Sequence, residues 1–220
     1  MLREKIDNLK RDLIEHATMV ESMIEKSISG LIDRKRNVLL EVIELDEPKV
    51  NQSEIELEEK CTTLIAQFQP KARDLRTILM IYQINNDLER IGDHAENIAE
   101  SGLFLIERPP VKPLIDIPKM AEISVKMLRD SITCFIEEDP GVASSVCEMD
   151  NTVDTLRDQI LRELITFMSS DTSTIERSLH LLRISRNLER VADLSTNICE
   201  DVVFMVEGKV VKHKRDDPTF

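Results

Sequence analysis

Glu89 and Asp93 stand four residues apart, and Glu189 and Asp193 repeat the pair further along the chain. On a helix, that spacing puts two carboxylates on one face with Cβ atoms roughly 5–6 Å apart. Asp150 and Asp154 form a third such pair, while Glu47 and Asn51 form a fourth that is poorer in charge. Carboxylates crowded together repel one another unless positive charge sits between them. A hard or borderline cation with oxygen ligands meets that need, which makes magnesium, manganese, iron, or zinc in an oxygen-rich site the candidates. The pairs therefore predict two metal sites, Asp150/Asp154 against Glu189/Asp193 and Glu47/Asn51 against Glu89/Asp93. The first of these carries more charge and is the better candidate. Asn97 and Asn197 continue the polar rows and are additional groups around them.

Other chemistries find no support. No glutamate has a histidine three residues later, so the ligand set of ferritin-like di-iron enzymes is missing. There is no phosphate-binding glycine loop, G-x-S-x-G elbow or H-E-x-x-H. His94 follows Asp93, but its counterpart is Leu194, so it is left out of the ligand set. A binding or regulatory protein is expected rather than an enzyme. Two alternatives stand beside this reading. One is a carboxylate-cluster metalloenzyme of the phosphohydrolase kind. The other is a metal-free helical scaffold whose acids pair with neighbours such as Arg90, Arg183, Arg186 and Arg190, or simply face water.

The elements that must position these residues are helices. Residues 84–100 and 184–200 are two copies of one stretch, sharing Ile84/Ile184, Leu88/Leu188, Glu89/Glu189, Arg90/Arg190, Asp93/Asp193, Asn97/Asn197, Ile98/Ile198 and Glu100/Glu200. Ile84, Leu88, Ile91, Ala95 and Ile98 advance by three and four, giving an apolar seam beside the acidic row. The same periodicity predicts helices over 2–29, 33–69 and 71–107 in the first half. In the second half it predicts 118–138, a helix ending near Ser169, and a last one ending at Glu207. Gly30 is expected to end the first helix, with Asp33 capping the next. Pro48 predicts a kink near Asp46–Glu47, since a proline inside a helix costs ~3 kcal/mol. The fold class is all-α, with two tandem three-helix bundles related by internal duplication. Residues 1–107 form the first bundle, 108–117 a proline-rich linker, 118–207 the second bundle, and 208–220 a poorly ordered tail.

Composition narrows the partners. The net charge of −13 is wrong for a phosphate-backbone partner, so nucleic acid is not expected. No apolar run approaches the ~20 residues that cross a bilayer, and the charged N-terminus lacks a signal-peptide core, so a cytoplasmic protein without direct membrane insertion is expected. Cys61, Cys134, Cys147 and Cys199 are scattered, as reduced thiols would be.

The stretch NDLERIGDHAENIAE, its second copy NLERVADLSTNICEDVVFMVEG, the linker ERPPVKPLIDIP and the ending GKVVKHK together resemble the PhoU family, over essentially the whole chain. That resemblance implies a pair of three-helix bundles in a cytoplasmic, often dimeric regulator. It implies negative control of phosphate uptake and of the phosphate-starvation response. The partners implied are the ATPase subunit of the phosphate ABC transporter and a membrane sensor histidine kinase. It also implies metal ions, in some members multinuclear clusters with iron among them, on E/D-x-x-x-D motifs. Those motifs fall on Glu89/Asp93, Glu189/Asp193 and Asp150/Asp154. Asn51 and Pro48 depart from the family pattern on the second helix, so the first site is expected to bind fewer or weaker metals.

Overall fold

Residues with an apolar neighbour three and four positions on either side are the ones that disappear from solvent. Ile84, Leu88, Ile91, Ala95 and Ile98 are fully buried, as are Ile184, Leu188, Val191 and Ile198. Each large aliphatic side chain removed from water contributes about 1.5–3 kcal/mol, so these seams organise the molecule. A computed structural model describes residues 1–209. The helices are α1 (Leu2–Ile32), α2 (Arg36–Glu41), α3 (Glu47–Phe68), α4 (Ala72–Ile106), α5 (Asp116–Glu137), α6 (Gly141–Ser170) and α7 (Ile175–Glu207). There is no strand among the described residues. One bundle is α1, α2–α3 and α4, and the other is α5, α6 and α7. The predicted tail beyond Lys209 lies outside the described residues.

Local chemistry explains the breaks. A π-helical turn, Val42–Asp46, joins α2 to α3 where a kink was expected. Pro48 has no N–H to donate, and the Glu47 N–H reaches back five residues to the Val42 carbonyl. Lys26 of α1 ties this turn down through Glu41 at 2.6 Å and Asp46 at 2.7 Å. Asp171 accepts a hydrogen bond from the Ser173 N–H at 2.9 Å, and Gly208, at φ 72°, ends α7 in the left-handed conformation.

Three expectations need correction. Gly30 does not end α1, which continues to Ile32. A Cβ at Gly30 would lie 2.7 Å from the Leu39 side chain, so the missing side chain makes room for α2 rather than breaking the helix. Asp33 does not cap α2, because Lys35 is the N-cap and Asp33 pairs with it at 2.6 Å. The fourth long helix starts at Asp116 instead of Pro118. A proline in the first helical turn has no intrahelical N–H bond to lose.

The halves pack side by side through α4 against α7 and α1 against α5. Helices α4 and α7 run antiparallel, as three contacts show: Gln83 with Asp201 at 3.1 Å, His94 with Asn187 at 2.9 Å, and the stacked rings of Phe104 and His180 at 3.9 Å. Ion pairs reinforce the rim. Arg129 of α5 reaches Glu21 and Glu25 of α1, each at 2.6 Å, and Glu138 accepts from Lys10 at 2.7 Å and from Arg73. Such exposed pairs contribute ~0–1 kcal/mol each, so the apolar seams carry most of the interface.

Candidate metal centre

The repeated motif lies on α4 and α7, and each copy faces the middle helix of its own bundle. In the first half, α3 approaches α4 closely because residue 92 is glycine. A Cβ there would sit 3.1 Å from Val50 Cγ1. This approach brings Glu47 at the start of α3 up to Asp93 and Glu96 on α4. One ligand oxygen from each of these three carboxylates lies within 4.8 Å of the others. Asn51 Nδ2 donates to Glu47 Oε1, orienting that carboxylate.

Electrostatics show a site short of positive charge. Burial pushes the Glu89 carboxyl above its usual range, and Asp93, Glu54 and Glu47 add to the effect while Arg90 opposes it. Glu96 is raised by burial and then by Glu47, Glu100 and Asp93. Glu54 is raised by burial and by Glu58. The nearest guanidinium, on Arg90, is spent on Asp87 at 3.2 Å.

The second half is built differently. Glu189 accepts from Arg157 Nη1 at 2.9 Å, and Asp193 is paired with Arg190 at 3.1 Å. Burial raises the Glu189 carboxyl while Arg157 pulls it the other way, and Asp193 and Asp154 raise it further. Asp150 is buried and Asp154 half-buried. Among the described residues, three potential ligands converge only at Glu47, Asp93 and Glu96, so the expected convergence of Asp150, Asp154, Glu189 and Asp193 is not found. Arginines already hold Glu189 and Asp193 of the second site, which leaves the first as the site short of positive charge. Asn97 is engaged elsewhere: it accepts from Arg183 of α7 and donates to the Asp93 carbonyl at 2.8 Å. Asn197 is exposed.

Glu96 does not stand out from the repeat, because its counterpart is Thr196. Its spacing, three beyond Asp93 and seven beyond Glu89, places it on the same helix face and was the available signal. Glu54, three residues beyond Asn51 on the same helix, is likewise not shared, its counterpart being Arg157.

The close approach at Gly92 makes a test. Gly92→Leu should push α3 off α4, destabilise the protein by about 1–3 kcal/mol in a chemical denaturation series, and separate Glu47 from Asp93. An unchanged denaturation midpoint would show that the α3–α4 spacing does not depend on this residue.

The chain matches the PhoU domain family twice, over residues 13–102 and 117–202, one match per bundle. It is 41% identical over 215 residues to the phosphate-specific transport system accessory protein PhoU homolog of Aquifex aeolicus, covering 97% of this chain and 96% of that one. It is 35% identical to PhoU homolog 2 of Thermotoga maritima, covering 99% and 92%. The fold superposes on crystalline PhoU from Pseudomonas aeruginosa with a TM-score of 0.91 at 31% identity, covering 95% of this chain and 100% of that one. The phosphate transport system regulatory protein PhoU of Streptococcus pneumoniae superposes with a TM-score of 0.88 at 25% identity, covering 96% and 99%. Repeat architecture, paired acidic motifs and full-length similarity agree: the chain belongs to the PhoU family.

Proposed function

We propose that this protein is a regulatory accessory protein of a phosphate-specific transport system. In this reading it acts in the cytoplasm without catalysing a reaction. It contacts the transporter's ATPase subunit and a membrane sensor histidine kinase, works as a homodimer, and holds down phosphate uptake and the starvation response when phosphate is plentiful. The observation that carries it is the near-complete, 41% identical match to a phosphate-specific transport system accessory protein. Among the described residues no helix is long and apolar enough to cross a membrane, so contact with membrane partners would be made from the surface. Deleting the gene in its host should derepress starvation genes in phosphate-rich medium, and the tagged protein should copurify with the transporter ATPase. Normal repression in the deletion strain would sink the proposal.

Metal binding is the second part of the reading. The donor set of Glu47, Asp93 and Glu96, all oxygen and bordered by the raised carboxyl of Glu89, fits a hard divalent or trivalent cation such as manganese or iron. When bound, the ion supplies the positive charge that this strip lacks. Glu47 and Asp93 would bridge α3 to α4 through it, with Asn51 fixing the Glu47 carboxylate.

The sign of the pH effect follows. A folded chain whose Glu89 and Glu96 stay protonated above the ordinary glutamate range gains stability from them at low pH, and loses it as pH rises through the raised values. Mn2+ should reverse that loss, adding about 2.7 kcal/mol at a concentration 100-fold above its dissociation constant. Melting curves of metal-free protein with and without Mn2+, beside Asp93→Asn, test this. Equal shifts in both proteins would remove Asp93 from the site.

A further inference from the structure

The two bundles align residue for residue on their middle helices. Glu47, Val50, Asn51 and Glu54 of α3 correspond to Asp150, Val153, Asp154 and Arg157 of α6, with Val50 and Val153 both buried. On the partner helices, Glu89 corresponds to Glu189. Where the first half sets the acid Glu54 beside Glu89, the second half therefore sets an arginine beside Glu189, and its guanidinium lies 2.9 Å from the carboxylate.

We infer that Arg157 is a built-in counter-ion that closes the second carboxylate site to metal, so that only the first half of this chain loads an ion. The inference rests on the metal reading of the first site.

Three observations converge on it. Arg157 is held between Glu189 and Asp158, at 2.9 and 2.8 Å, so its charge is already committed across the α6–α7 seam. Asp193, the other motif acid, has its own arginine, Arg190. The first half has no equivalent: Arg90 turns to Asp87, and no Lys or Arg ion pair is formed by Glu47, Glu54, Glu89, Asp93 or Glu96 among the described residues. A cation therefore occupies the second site as part of the chain, while the corresponding position in the first site carries one more negative charge. An incoming metal ion at Glu189 would have to displace a charge-assisted hydrogen bond before gaining a ligand, whereas at Glu89 it relieves repulsion. The duplication has thus produced two acidic sites from one motif, of which only the second carries its own cations.

The test uses the full chain with Mn2+ as the probe, measured by equilibrium dialysis and by Mn2+ electron paramagnetic resonance. In the wild-type background, Asp93→Asn should abolish Mn2+ binding and Glu189→Gln should leave it unchanged. Arg157→Glu should create a second class of Mn2+ sites, which adding Glu189→Gln removes. The inference is overturned if Glu189→Gln lowers Mn2+ binding by the wild-type chain, or if folded Arg157→Glu binds no more Mn2+ than wild type. Should Arg157→Glu fail to fold, the Glu189→Gln comparison and Arg157→Gln, which removes the charge without adding an acid, still decide it. Absence of Mn2+ binding by wild type and every variant would overturn the metal reading of the first site, and this inference with it.

Discussion

Acidification from pH 7 to about 4 should cost this protein about 3 kcal/mol through one side chain, His16. The ring lies in α1 with no solvent exposure, and neither nitrogen has a hydrogen-bond partner in the protein. Burial alone lowers its pKa from 6.5 to about 4. The sign follows from proton counting. In the unfolded chain His16 takes up a proton as pH falls through 6.5, while the folded chain holds it neutral until about 4. Between those values the unfolded state binds more protons, so stability falls with pH and levels off below the folded value. Urea denaturation of wild type and His16→Leu at intervals from pH 7 to 4 isolates the contribution, because the carboxylates are common to both proteins. The variant should lose markedly less stability across that window. Parallel stability curves for the two proteins would show that His16 is not kept neutral by the fold.

Leu88→Ala and Leu188→Ala should each cost about 2–5 kcal/mol, the range for deleting a fully buried leucine whose surroundings cannot collapse. Both residues have no exposed surface and hold equivalent places in the repeat. They belong to the two helices that pack on each other as well as within their own bundles. A loss at either site should therefore be felt by the whole molecule, with one cooperative transition shifted to lower temperature in both variants. Calorimetry decides this. Two separated transitions, with each substitution lowering only one, would show that the bundles unfold independently and that the α4–α7 seam is a weak contact.

Much of the architecture was legible because helical periodicity is a local property. The seam from Ile84 to Ile98 and its copy needed only spacing to be recognised, and Pro48 and Gly208 act through the backbone of their immediate neighbours. The errors arose where a residue's role depends on something distant in sequence. Gly30 reads as a stop signal, yet it serves to admit Leu39 from the next helix. Glu96 has no partner in the repeat, and its value lies in what Glu47 of another helix brings to it. Arg157 looks like one more charge on a charged helix until α6 is laid against α7.

The sequence by itself determined that this is a duplicated helical protein of the PhoU family, with paired carboxylates on the third helix of each half. Hydrophobic spacing and motif identity are carried by neighbouring residues. Only the tertiary structure decided which carboxylates meet and which already pair with an arginine. The balance at each motif depends on the charge of the side chain that the middle helix presents across the seam, Glu54 in one half and Arg157 in the other. Between helices, a few ångströms of approach decide whether two carboxylates repel each other, share a cation, or pair with an arginine.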